Sequence, residues 1–155
     1  MTEPGAAKGQ AAIEPPRADT APGAALPAVE IGPLVLADFV RWAAYQENWF
    51  ALHYDRAFAQ QHGLRDCIQS GHHRTALLTR MITDWLGPSG WLKRLAVRHR
   101  APVFVGETIR CEGRVRGAGS EGGRVVELDV WVVTPDGRRA SEGTAAVELY
   151  PEGQR

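Results

Sequence analysis

The sequence predicts an α+β domain in which short helices and one long apolar helix are followed by consecutive antiparallel strands. Three observations carry this. Apolar pairs recur every four residues between His72 and Leu86. Four later segments have alternating or β-branched character and are separated by turn residues. The two kinds of segment do not alternate along the chain, which gathers the helices on one side of a sheet instead of crossing between parallel strands.

The 155 residues suit one domain, with enough chain to build a core without staples. Residues 1–28, rich in Ala, Pro and Gly, offer few large apolar groups to bury and are expected to form a disordered leader, leaving 29–155 as the domain. Eighteen Lys and Arg balance eighteen Asp and Glu, so no net field favours nucleic acid or a membrane, and neither is expected as a partner. Any anionic ligand must be met by local cations. Cys67 and Cys111 lie in different segments without C-x-x-C spacing, against a disulfide scaffold or a zinc site. No apolar run has the length of a secretory core or a membrane span, and the expectation is a soluble cytoplasmic protein.

In "LVLADFVRWAAYQ", Asp38 is placed to cap a short helix whose buried face holds Phe39, Val40, Ala43 and Ala44. The stretch around His53 reads as a loop. "DRAFAQQHGL" reads as a second short helix closed by Gly63. The long helix pairs Leu77 with Leu78, Met81 with Ile82 and Trp85 with Leu86, and stops at Gly87-Pro88. Strands are predicted in "LKRLAVRHR", "VGETIRCEGRVRG", "RVVELDVWVVT" and "RASEGTAAVEL", with Val126, Leu128, Val130 and Val132 on one face of the third. "TPDGR" turns the last two into a hairpin, because Pro presets its angle, Asp caps it and Gly supplies positive φ. A helix apolar over so much of its circumference suits a curved sheet wrapped around it, a hotdog arrangement; periodicity by itself does not single this out.

Five histidines carry the candidate chemistry. His62 sits beside a helix-ending glycine and is expected to be exposed. His99, between two arginines, reads as a sheet residue. His72 and His73 precede the long helix and offer it a cap, while Ser70-Gly71 before them would let a ligand approach free backbone N–H groups at the positive end of the helix dipole, where a developing oxyanion could be held. Equally, Gly71 need only make the turn. His53 has Asn48 five residues before it and Asp55 two after; it is either a packed loop histidine or a base. No carboxylate stands at ligand spacing from the histidine pair, and no metal is expected.

Together, "NWFALHYDRAFAQQHGL", "CIQSGHHRTALLTRMITDWLGP" and "LAVRHRAPVFVGETIRCEGRV" resemble the MaoC-like, or R-specific enoyl-CoA hydratase, family of hotdog proteins, over roughly Leu36 to Leu149. The most specific parts are the spacing of Asn48, His53 and Asp55, the glycine at the helix start, and "R-x-P-V-x-x-G-E-T" from Arg100 to Thr108. The family's first motif has Asp, then Asn-Pro, then His-x-Asp. Here Asn48 stands at the Asp position and Phe50 and Ala51 at Asn-Pro, with His53 and Asp55 retained. The resemblance implies a hotdog fold and hydration of an enoyl-CoA or dehydration of a 3-hydroxyacyl-CoA. It makes His53 the general base and acid, Asn48 a positioning group that cannot itself take a proton, and Gly71 the oxyanion donor. Asp55 becomes a helix cap or support, and Trp49, Ser70 and Asp55 are the candidate substrate contacts.

No separate cofactor is implied, since CoA belongs to the substrate, and Lys93, Arg94, Arg98, Arg100 or Arg74 would meet its phosphates. A homodimer, or a heterodimer with a second hotdog chain, is also implied. Two other readings compete: a non-catalytic subunit completing a partner's acyl tunnel, favoured by the altered first motif, and a hotdog acyl-CoA thioesterase.

Overall fold

The computed structural model describes residues 18–119 and 124–151. The expected leader lies outside the described residues as far as residue 17. Its remainder is packed: Leu26 is buried and donates its N–H to Gly113, and Ala25 bridges Arg114. The packed domain therefore begins before residue 29, because one buried leucine and a few backbone bonds to a strand suffice to hold a segment whose composition reads as loose.

Three α-helices precede most of the sheet: α1 (Leu36–Tyr45), α2 (Arg56–Gln61) and α3 (Gly71–Leu86). The strands are β1 (Val29–Ile31), β2 (Gly90–His99), β3 (Ile109–Ala118), β4 (Val125–Val133) and β5 (Arg139–Leu149), arranged β1-β3-β4-β5-β2 with every pairing antiparallel. The sheet curls around α3, as the apolar circumference of that helix suggested. Leu78, Met81, Ile82 and Leu86 meet Val115, Leu128, Val130, Val132 and Val147 in one buried cluster. Alternation along β4 sends Val126, Leu128, Val130 and Val132 inward and leaves Asp129 outside, paired with Arg114 and Arg116. The Thr134–Arg138 turn forms as its sequence requires, with Gly137 at φ 80° and the Asp136 carboxylate taking bonds from Thr134 and Arg138.

Asp38 caps α1 as expected, but from its first turn, and one expectation for the helix is corrected. Asp38 lies three residues after Val35 and reaches back to accept that residue's N–H at 3.2 Å, which satisfies one of the free amides from inside the first turn. The buried row is Phe39 and Ala43, with Val40 and Ala44 exposed. One residue further along a helix is about 100° further round it, beyond the narrow stripe that a short helix presses on its neighbour.

This packing sets a contrast in stability. Leu78→Ala, in the fully buried row of α3, is expected to cost about 3 kcal/mol by urea denaturation, whereas Val40→Ala should stay within about 1 kcal/mol.

Candidate active site

α1 ends just before Asn48. Glu47 takes a left-handed φ of 52°, its N–H bonds to Ala44 and the N–H of Asn48 bonds to Ala43 at 2.9 Å. This is the double bond of a Schellman ending, usually built on glycine. A side chain held there is strained by about 1 kcal/mol or more, and Asn48 follows directly from the reversal. The chain then closes a 3₁₀ turn over Ala51–His53, with the N–H of His53 on the Phe50 carbonyl, where a loop was expected. Asp55 caps α2 by accepting from Phe58 at 3.0 Å.

His53 is buried (9% exposed), and its Nδ1 lies 2.9 Å from the carbonyl oxygen of Ile68. A carbonyl only accepts, so Nδ1 carries a proton, and in the neutral ring Nε2 is the acceptor. The neighbouring Leu52 carbonyl takes the Ile68 N–H at 3.0 Å. The turn and residue 68 are thus clamped together twice. On its other side the same segment bonds the 103–105 loop, through Gln69 to Val103 and Val105 to Cys67.

Three residues after Ile68 the chain enters α3 at Gly71, a span of at most about 11 Å even if fully extended. His53 and the helix start are therefore brought together, two features that lie 18 positions apart in the sequence. Ser70 is buried, and its side chain does not cap the helix. The arrangement sets an imidazole whose Nε2 has no hydrogen-bond partner among the described residues near the uncapped, positive end of a 16-residue helix. Such a pair can accept a proton and hold a developing negative charge.

His99 also belongs to this neighbourhood. Strand alternation turns it away from Arg98 and Arg100 and onto Gly71: a Cβ on that glycine would lie 2.5 Å from His99 Cδ2 and 2.7 Å from Nε2. His99 Nδ1 pairs with Ser141 Oγ at 3.0 Å. Burial, with Arg74 and His72 adding positive charge, holds its imidazole below the ordinary value. Gly71 thus does more than make a turn, since it leaves room for this ring. The period-two pattern of β2 could have put His99 on the side of Leu95 and Val97, although it stays exposed at the strand end; only the fold could put Gly71 opposite it.

The remaining candidates separate. Trp49 is 56% exposed and meets Tyr54 edge-on, while the Tyr54 hydroxyl donates to the Trp49 carbonyl. His62 is exposed, and His72 with it, whereas His73 stacks on Trp42 with ring centroids 4.6 Å apart. Neither histidine caps α3. Arg74 is not available for a phosphate: it is buried, donates to the carbonyls of Ala101 and Ala140, and is pushed by desolvation down to about 10. It ties α3 to the loop after β2 and to β5. Lys93, Arg94 and Arg100 are paired with Glu148, Glu127 and Glu142. Cys67 and Cys111 are free and buried, and burial pushes the Cys111 thiol up to about 12. Among the described residues, no three His, Cys, Asp or Glu side chains form a metal-binding group, and no helix is long and apolar enough to cross a membrane.

Two outcomes follow from this geometry. Gly71→Ala should lower stability by about 1–2 kcal/mol by displacing His99 from Ser141, and by less in a His99→Ala background, a coupling that a double-mutant cycle measures. Burial lowers His73 as well as His99 from 6.5, so the unfolded chain binds protons that the folded chain resists. Stability is then fully present above about 6.5 and is lost as pH falls below it; thermal melts should show this, with a shallower decline for His73→Phe.

A family model described as "MaoC like domain" matches residues 17–134. The 3-oxo-4,17-pregnadiene-20-carboxyl-CoA hydratase beta subunit of Mycobacterium tuberculosis is 33% identical over 64 residues, 41% of this chain and 50% of that protein. The chain thus matches half the length of that curated relative. The structure of the ChsH1-ChsH2 complex from Mycobacterium tuberculosis superposes with a TM-score of 0.75 at 25% identity, covering 84% of this chain and 99% of the other. The (R)-hydratase from A. caviae involved in PHA biosynthesis gives 0.78 at 23%, covering 85% and 98%, a likeness of fold alone. These neighbours share the hotdog fold, the sheet-wrapped helix found here, and with the family model spanning most of the sequence this chain belongs to the MaoC-like dehydratase family.

Proposed function

We propose that this protein is a hydratase/dehydratase that adds water to an enoyl-CoA, or removes it from a 3-hydroxyacyl-CoA, with His53 as general base and acid. The observation that carries the reading is the bond from His53 Nδ1 to the Ile68 carbonyl, which in the neutral ring makes Nε2 the acceptor, beside a segment that runs directly into the start of α3. In the hydration direction, Nε2 takes a proton from water as the oxygen attacks the β-carbon. Electron density moves onto the thioester oxygen, which the Gly71 N–H stabilises as it becomes enolate-like. The imidazolium, still donating through Nδ1 to a carbonyl, then returns its proton to the α-carbon, and no proton is gained or lost overall. Asn48, just past the α1 ending, orients the water through its amide without taking a proton.

Substrate contacts fall to Ser70 and to the exposed ring of Trp49, while Asp55 acts by holding α2. Arg98 lies with Arg114 and Asp129 on the outer face of the sheet, so none of the five cations is singled out to meet a CoA phosphate. The long edge strand β2, paired only with β5 and carrying the exposed Trp91, suits a second hotdog chain, identical or not.

The test follows the absorbance of the conjugated thioester with a panel of 2-enoyl-CoAs. His53→Ala should lower kcat by about 10²–10⁴-fold, and absence of that loss would sink the assignment. A second reading, a subunit active only beside a partner, is favoured by likeness to a beta subunit and to a two-protein complex; a chain silent alone but active when mixed with a second hotdog chain would establish it. Release of free thiol without hydration would make the protein a thioesterase instead.

A further inference from the structure

Beside the proposed reaction site stands a second imidazole that the hydration chemistry above leaves unused. His99 ends β2 at an exposed position, with its ring laid against Gly71 at the start of α3. What the ring offers there depends on which nitrogen carries its proton and on how far that nitrogen stands from the Gly71 amide.

The tautomer follows from Ser141. That residue is fully buried, and its hydroxyl has one polar partner among the described residues, His99 Nδ1 at 3.0 Å. If Nδ1 held the proton, the hydroxyl would accept it, and its own O–H would be left buried without an acceptor, which is costly. The hydroxyl therefore donates to Nδ1, and in the neutral ring the proton sits on Nε2. This is the reverse of His53, whose Nδ1 faces a carbonyl. Burial, with Arg74 and His72 adding positive charge, keeps the His99 imidazole below its ordinary value and so neutral at about pH 7.

The distance follows from Gly71. A Cβ on that residue would lie 2.7 Å from His99 Nε2. Cβ and N share the same Cα, so Nε2 is at most about 5 Å from the Gly71 nitrogen. Two N–H···O bonds of ordinary length that meet at one oxygen span up to about 6 Å, so one oxygen can take both. Neither the Gly71 N–H, in the uncapped first turn of α3, nor His99 Nε2 has a hydrogen-bond partner among the described residues. An oxygen placed against two such donors must accept. A neutral imidazole next to a helix N-terminus is suited to polarising a carbonyl, because it donates without being able to give up its proton easily.

We infer that His99 is a second catalytic residue of the proposed reaction, donating its Nε2–H to the thioester oxygen beside the Gly71 N–H, with Ser141 as the positioning residue that sets its tautomer. This deepens the hydratase reading and rests on it. As the oxygen of water bonds to the β-carbon, the π electrons move onto the thioester oxygen and both hydrogen bonds to it strengthen. Neither donated proton is transferred. Density returns to the α-carbon when His53 delivers its proton there, and both bonds relax.

The infrared band of a 2-enoyl-CoA, isotopically labelled at the thioester carbonyl and bound to His53→Ala, reads this polarisation without turnover. Each donated N–H lowers the carbonyl frequency, so the bound band should fall below that of the free thioester. Adding His99→Phe, which keeps a ring on Gly71 and removes the donor, should return part of that shift. Ser141→Ala should return some of it, whereas His99→Gln, whose amide nitrogen reaches about as far as Nε2, should retain it. With His53 intact, His99→Phe should lower kcat by about 10²-fold while KM changes little. A band that His99→Phe leaves in place, with circular dichroism confirming the fold, would overturn the assignment. Equal loss in the Phe and Gln variants would also overturn it, as would no bound thioester at all. A band unmoved by Ser141→Ala would overturn the tautomer on which the assignment stands. A shift that depends on His99, without hydration of any enoyl-CoA by wild type, would refute the hydratase reading alone.

Discussion

The arrangement of this site depends on the backbone of Ile68. Its N–H is given to Leu52 and its carbonyl receives His53 Nδ1, so one residue orders the 3₁₀ turn and sets the histidine tautomer. The same extended stretch passes into α3, the helix on which the sheet closes. A displacement of that stretch would therefore move His53 and the helix start together, and the placement of the imidazole is inherited from core packing instead of resting on a loop alone. The bonds from Gln69 and Cys67 to the 103–105 loop brace it from the opposite side.

Around this anchor the chain tolerates features that a structure built only for stability would avoid. Glu47 holds a left-handed conformation that glycine would take without strain. Four buried side-chain atoms, Trp42 Nε1, Gln46 Oε1, Gln69 Oε1 and Arg74 Nε, have no protein partner among the described residues. Both lie within a few residues of Asn48 or Gly71, whereas the face of α3 against β3 and β4 is wholly apolar. Strain and unmet polarity gathered at one end of the domain are the pattern expected of a working site on a rigid frame.

Charge follows the same division. On the outer face of the sheet, arginines and carboxylates neutralise one another in exposed pairs worth little individually. Arg74 is the exception, because it is buried at the first turn of α3 with two backbone carbonyls as its partners. Its charge, placed near His99, discourages protonation of that ring. Thus a residue that looked like a phosphate ligand acts as a strut with an electrostatic effect on its neighbour.

The sequence by itself determined the order of the helices and of the four long strands, the inward face of β4, the hairpin at Thr134–Arg138 and the long helix, because each depends on local period or turn chemistry; the short β1 before α1 escaped it. Its resemblance to a family also pointed to His53 and Gly71. It misjudged the part of the leader from residue 18, the buried stripe of α1 and the role of Arg74, since burial of these groups is decided by what packs against them from distant segments. Only the tertiary structure could bring Ile68 to His53, His99 to Gly71 and Trp42 to His73. A backbone carbonyl leaves no trace in residue identity, and ring contacts across helix and sheet depend on the curvature with which the sheet wraps α3.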